Sequence, residues 1–263
     1  MKKSAFALAL SLALGFSLSF PLVGESFAAP ETGARFPAPA TVSAEMAKSV
    51  SAPAPGLWLT KERSPEAVSA IAKNYAEGAT PAALALAKEY GVDVEEGTLG
   101  GVRVYTLTPK TLAKDKADKV IFYIHGGGYV LGHGVAGIGE GVLMAGLEGY
   151  KVVCVDYRMA PEHPYPAAID DAFRAYKALL ETTPAENVAV FGTSTGGGMT
   201  LILGVQAARA GTPMPGALIA GTPWSDLTKT GDTYVTMDGV DNILGTYDGL
   251  IRTAAELYAG GAD

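Results

Sequence analysis

Ser194 stands at the centre of Gly192-Thr193-Ser194-Thr195-Gly196, with glycine two residues to either side. The apolar run Val188–Phe191 precedes it, and a small-residue, apolar stretch, Met199–Ala210, follows. A serine on a tight strand-to-helix turn is the geometry of a nucleophile elbow. Any side chain at 192 or 196 would collide across such a turn, and the strain pushes the hydroxyl outward. The following helix start supplies N–H groups and the positive end of its dipole beside that hydroxyl. The chemistry such a turn serves is nucleophilic attack by the serine oxygen. In a chain with 33 glycines the pattern alone is weak. A plain close-packing turn is the alternative, and the strand–motif–helix order favours the nucleophile.

The second constellation is His125-Gly126-Gly127-Gly128-Tyr129, which closes the apolar run Val120–Ile124. Adjacent glycines let backbone N–H groups converge on open space, a nest that can hold an oxyanion. Gly-Gly-Gly by itself reads equally well as a flexible loop. Paired with a downstream elbow it becomes specific, because both motifs end apolar runs and α/β sheets bind ligands at the carboxyl ends of their strands.

These motifs need a sheet to hold them. Val120–Ile124, Val152–Val155, Val188–Phe191 and Ala217–Ala220 are short unbroken apolar runs that suit parallel strands buried on both faces. Helical stretches fall between them, around Gly139–Leu147, Ala167–Leu180 and Met199–Ala210. This alternation predicts an α/β, doubly wound, mostly parallel sheet. Val92–Leu99 and Val102–Thr108 flank Gly100-Gly101 and predict an N-terminal hairpin. Upstream, Ser64-Pro65 and Thr80-Pro81 each read as a helix start, predicting two short helices that end at Gly91.

At this point the chain resembles the hormone-sensitive-lipase family of esterases. His125–Gly128 resembles its HGGG oxyanion motif, and Gly192–Gly197 its G-[DT]-S-[AT]-G-G elbow. Val155–Ala168 resembles the segment around Y-R-x-A-P-E, and Thr222-Pro-Trp-Ser-Asp226 the stretch after the next strand. The likeness covers about residues 60–263. It implies the α/β-hydrolase fold and a serine carboxylesterase acting on small, short-chain esters, with no cofactor and no metal. It further implies that Ser194 is the nucleophile. Gly127, Gly128 and Thr195 would hold the oxyanion by their N–H groups, with Gly126 shaping the loop. His125 would support that loop, while Asp156, Tyr157, Arg158, Pro161 and Glu162 would brace the floor. Tyr129 and Trp224 would line the substrate pocket or simply pack.

The family's acid and base follow the serine, in the order acid then histidine. Here the three histidines, His125, His133 and His163, all precede Ser194. Asp226, Asp238 and Asp241 fall in what resembles lid or connecting sequence. The resemblance therefore implies a C-terminally truncated chain, without its later strands and inactive as given. The rival class is a non-catalytic small-molecule binder or pseudoenzyme on the same fold. The plant gibberellin receptors, which resemble this family and lack the triad histidine, are a precedent. Intact Ser194 and oxyanion glycines favour the enzyme.

Composition narrows partners and place. The net charge is −7, and −8 without the leader's Lys2, Lys3 and Glu25, which excludes the basic footprint that nucleic acid requires. No cysteine–histidine cluster has metal-ligand spacing, and the lone Cys154 permits no intramolecular disulfide. Residues 1–28 read as a signal peptide, with Lys2-Lys3, an apolar run Ala5–Leu22 and Ser26-Phe27-Ala28 as the cleavage site. An uncleaved membrane anchor is the alternative, and Gly15, Pro21 and the cleavage site weigh against it. A periplasmic or secreted protein without stable membrane insertion is expected. Residues 29–57 read as a flexible arm, 58–263 as the hydrolase domain, with 58–90 and about 226–263 as lid elements.

Overall fold

The computed structural model describes residues 38–52, 64–241 and 243–261. The leader, residues 29–37 and 53–57 of the arm, and residues 58–63 lie outside them. The described residues belong to two units, Val68–Ser225 with Glu256–Asp263, and Met1–Ala67 with Asp226–Ala255.

The larger unit is an α/β sheet built around β3 (Val120–Ile124), whose five residues are all buried. The six strands run in the order β1-β2-β4-β3-β5-β6. β1 (Val92–Leu99) and β2 (Val102–Pro109) form the expected hairpin, with Leu99 opposite Val102. Gly100 and Gly101 take φ of 57° and 78°, the doubly left-handed turn that glycine adopts without strain. β2 runs antiparallel to β4 (Lys151–Val155), while β3 is parallel to both β4 and β5 (Val188–Thr193), and β5 to β6 (Ala217–Gly221). The chain thus steps from β3 to one side for β4 and to the other for β5. That reversal opens a crevice at the carboxyl ends of β3 and β5.

Helices cover both faces because neighbouring strand residues point oppositely. Phe122 meets Tyr176 edge-on, centroids 5.8 Å apart, from α4 (Ala167–Leu179). Tyr123 faces α3 (Gly139–Glu148), where a Cβ on Gly141 would lie 2.6 Å from the Cys154 sulfur. α5 (Thr195–Ala210) follows the elbow directly and buries Met199, Leu203 and Ala207. It begins four residues before the expected Met199, because the glycine-rich first turn hides its helical character from propensity.

Three expectations are corrected. The two short helices are one, α2 (Pro65–Tyr90), with Pro81 inside it. Ser64 caps its start by accepting from the Ala67 N–H, and Gly91 (φ 64°) ends it. An interior proline costs about 3 kcal/mol. Buried Val68, Ala72 and Ala79 before it and Ala83, Leu86 and Ala87 after it keep one continuous apolar stripe, so packing overrides the break. Second, β6 is not buried on both faces: Leu218 and Ile219 are exposed, because among the described strands β6 pairs only with β5. Third, the arm contains a helix, α1 (Ala44–Ser51), capped by Ser43.

The smaller unit also holds α6 (Thr233–Thr236), and α7 (Arg252–Ala259) closes the described chain. Asp226 accepts from the Thr228 N–H and from the Thr228 and Thr230 hydroxyls, which holds its carboxyl down at about 2. Asp241 accepts from the N–H groups of Ile243 and Leu244, and Asp238 from the Thr246 hydroxyl.

The bracing segment pairs differently from its sequence neighbours. Glu162 accepts from the Ser69 hydroxyl at 2.6 Å. Arg158 instead grips buried Asp171 of α4 with its backbone N–H, Nε and Nη2, and Arg174 adds a fourth bond. Hydrogen bonds to a buried charge are worth about 1.5–3 kcal/mol. Asp171→Ala is therefore expected to lower stability by about 1.5–3 kcal/mol in urea unfolding. Glu162→Ala, at an exposed contact, is expected to stay within about 0.5 kcal/mol.

Candidate active site

Ser194 occupies φ 55°, ψ −122°, a conformation costly for a side chain and held only where the surroundings over-determine it. Backbone hydrogen bonds do much of this here. The Ser194 N–H donates to the Gly221 carbonyl at 3.0 Å, and its own carbonyl accepts from Gly198 and Trp224. A Cβ at Gly192 would lie 2.4 Å from the Gly196 carbonyl oxygen, and one at Gly196 only 2.0 Å from that of Ile124. The two flanking glycines are thus required by contact between the elbow and the end of β3.

The glycine loop sits against the same turn. A Cβ at Gly126 would lie 2.9 Å from the Thr193 carbonyl oxygen and 3.2 Å from the Ser194 Cβ. Gly127 (φ 118°) and Gly128 (φ 66°) turn the backbone, and the Gly127 carbonyl accepts from Val130 and Leu131. Among the described residues, no hydrogen bond is donated by the N–H of Gly127, Gly128 or Thr195. The structure thus gathers Gly126, Gly127, Gly128, Ser194 and Thr195 at the carboxyl ends of β3 and β5.

Side chains from the segment after β4 hold this loop. The Tyr157 hydroxyl donates to the His125 carbonyl at 2.8 Å, and the Asp156 carboxylate accepts from the Gly134 N–H at 2.8 Å while pairing with Arg103. Ala160 donates its N–H to the Tyr129 carbonyl. The His125 ring stacks on Tyr157, centroids 4.2 Å apart, with Nδ1 2.7 Å from the Gly126 carbonyl oxygen. Burial pushes its pKa down, so it is a neutral strut at neutral pH. Tyr129 is buried, and its ring stacks on Tyr258 with centroids 3.6 Å apart. That burial raises its hydroxyl to about 12. Trp224 is half-buried, and its backbone N–H fixes the elbow.

His133 and His163 are exposed, and among the described residues no hydrogen bond reaches the Ser194 hydroxyl from any histidine or acid. Asp226, Asp238 and Asp241 are engaged in their local turns. Among the described residues no cluster of histidine, cysteine, aspartate or glutamate could hold a metal, and no helix is long and apolar enough to cross a membrane.

One group escaped the sequence reading. Glu140, in the first turn of α3, accepts the Thr193 hydroxyl with both carboxylate oxygens, at 3.0 and 2.8 Å, and the Tyr123 hydroxyl at 3.0 Å. In sequence it is an ordinary acidic residue at a helix start. Its only signal is a carboxylate within an otherwise apolar stretch.

Comparison with known proteins agrees with this arrangement. The alpha/beta hydrolase fold family matches residues 121–263. An acetyl-hydrolase of Streptomyces hygroscopicus is 37% identical over 147 residues, covering 55% of this chain and 48% of that protein. The chain spans about half the length of the curated relatives it matches. The crystal structure of an esterase, E25, superposes with a TM-score of 0.82 at 39% identity, covering 88% of this chain and 72% of the other. An esterase from the bacterial hormone-sensitive lipase family superposes with a TM-score of 0.57 at 30% identity, covering 66% and 57%. With its glycine loop and elbow at the switch point of the sheet, the chain belongs to the alpha/beta hydrolase fold family, among the esterases related to hormone-sensitive lipase.

Proposed function

We propose that the protein is a carboxylic ester hydrolase that works through an acyl-enzyme on Ser194 and prefers short acyl chains. The observation that carries this is the set of three N–H groups, on Gly127, Gly128 and Thr195, that donate no hydrogen bond among the described residues and lie in the loops beside a strained serine. The Ser194 oxygen attacks the ester carbonyl and its proton passes to a base. Those three N–H groups stabilise the negative oxygen of the tetrahedral intermediate, and each such donor is worth about 10²–10³ in rate. The intermediate collapses, the alcohol leaves with a proton, and water releases the acid from the serine. Trp224, beside the elbow, is assigned to the pocket wall. Tyr129 serves that wall from beneath, through its packing on Tyr258.

Among the described residues no base reaches the Ser194 hydroxyl. His125 is committed to the glycine loop, and His133 and His163 make no bond to Ser194. The 263-residue chain is therefore assigned only residual turnover, about 10³–10⁴-fold over water from the oxyanion site and binding alone. A fluorophosphonate applied to the product of the open reading frame containing this sequence should label Ser194 only, and Ser194→Ala should abolish turnover. Turnover of roughly 1–10³ s⁻¹ by the 263-residue chain itself would place the base within it.

Acyl preference follows from the acetyl-hydrolase among the relatives and from α2, whose exposed face offers no long apolar stripe to a lipid surface. Esters of increasing chain length should show falling kcat/KM from acetate and butyrate onward. Faster hydrolysis of emulsified long-chain triglyceride would refute the preference.

Export is proposed on the tripartite leader. Mass spectrometry of periplasmic or secreted material should find Ala29 as the first residue, and a chain retaining Met1 in the membrane fraction would identify an anchor instead.

A further inference from the structure

Thr193, the residue on which the elbow turns, is held on three sides. Its carbonyl oxygen lies against Gly126 of the glycine loop, where a Cβ would approach to 2.9 Å. Its Cγ2 methyl lies against Gly221 of β6, where a Cβ would again come to 2.9 Å. With the methyl placed there, the hydroxyl of this β-branched residue points to Glu140, which takes it with both oxygens. The other end of that carboxylate is tied to Tyr123 on β3. A single side chain on α3 therefore joins the central strand to the last residue before Ser194.

We propose that Glu140 is a positioning residue for Ser194, its carboxylate setting the rotamer of Thr193 and with it the angle at which the elbow presents the serine hydroxyl. The inference rests on the reading of Ser194 as the nucleophile. Two further observations support it. A strained residue such as Ser194 keeps its conformation only where neighbours over-determine it, and the Thr193–Glu140 bond is a side-chain tie on the residue immediately before it. Burial also pushes the Glu140 carboxyl upward while the Thr193 and Tyr123 hydroxyls pull it back, so a partly desolvated polar group sits where an apolar side chain would pack at less cost. α3 itself cannot drift, since Gly141 packs directly on Cys154, Leu107 and Tyr123.

The test compares four variants with wild type in the open-reading-frame product: Glu140→Gln, Thr193→Val, Thr193→Ser and Tyr123→Phe, with Ser194→Ala alongside. Kinetics on a short-chain p-nitrophenyl ester and thermal midpoints are read for each. Thr193→Val keeps the shape and removes only the hydroxyl. It is expected to lower kcat by about 10–100-fold at unchanged KM, the scale of a small misplacement of reacting groups. Thr193→Ser, which keeps the hydroxyl, should recover kcat to within about threefold. Tyr123→Phe takes a bond from the same carboxylate but is not joined to the elbow. It should lower the midpoint about as much as Thr193→Val while leaving kcat near wild type. Glu140→Gln should fall with Thr193→Val, and if it does not fold, the threonine pair decides. Wild-type kcat in Thr193→Val, no recovery in Thr193→Ser, or equal kcat losses in Tyr123→Phe and Thr193→Val would each overturn the proposal. Activity surviving in Ser194→Ala would bring down the nucleophile assignment and this one with it. A silent Ser194→Ala beside a fully active Thr193→Val would bring down this one alone.

Discussion

Everything at this site depends on how closely the end of β3 approaches the turn after β5. A Cβ on Gly196 would sit 2.0 Å from the Ile124 carbonyl oxygen, and one on Gly126 2.9 Å from that of Thr193. There is no room between the two segments for anything but backbone. That contact forces glycine at 126, 192 and 196 and bends the chain so that Ser194 takes a positive φ. It also brings the N–H groups of the glycine loop alongside those of the α5 start. Donors placed in advance need no reorganisation when charge develops, which is why such preorganisation outweighs other sources of rate.

Backbone contact alone would leave the glycine loop free to swing, and polar side chains from another strand prevent it. The segment after β4 sends the Tyr157 hydroxyl to the His125 carbonyl and the Asp156 carboxylate to the Gly134 N–H. That segment is itself moored to α4 by the three bonds from Arg158 to Asp171. The order of anchorage runs from helix to segment to the N–H groups of the glycine loop. His125 belongs to this scaffold: buried, stacked on Tyr157 and committed through Nδ1, it is built to stay neutral and still. The Tyr129–Tyr258 stack extends the same hold to the C-terminal end of α7.

Burial decided several roles that residue type left open. Tyr129 and Trp224 looked alike as aromatic neighbours of the two motifs, yet Tyr129 is enclosed and Trp224 half-buried, so only the indole lies partly open to solvent. Pro81 looked like a helix start, but a stripe of buried apolar residues on both sides of it outweighs one lost hydrogen bond. Asp226, Asp238 and Asp241 follow the serine in the order an acid would take, and all three are absorbed in local turns.

The sequence by itself determined the features that rest on local chemistry or strict periodicity. Unbroken apolar runs mark the strands, Gly100-Gly101 marks the hairpin, and glycines at fixed offsets from Ser194 mark an elbow, because only one backbone geometry needs each pattern. Both halves of the site were legible for the same reason. What only the tertiary structure decided are the pairings between residues far apart in the chain. Arg158 binds Asp171 and not the neighbouring Glu162, and Glu140 crosses 53 positions to reach Thr193. Such partners carry no signature in spacing: a carboxylate at a helix start looks the same whether it faces water or a buried hydroxyl. Only the packing of α3 on β2 and β4 half-buries the carboxylate and brings it to Thr193 and Tyr123.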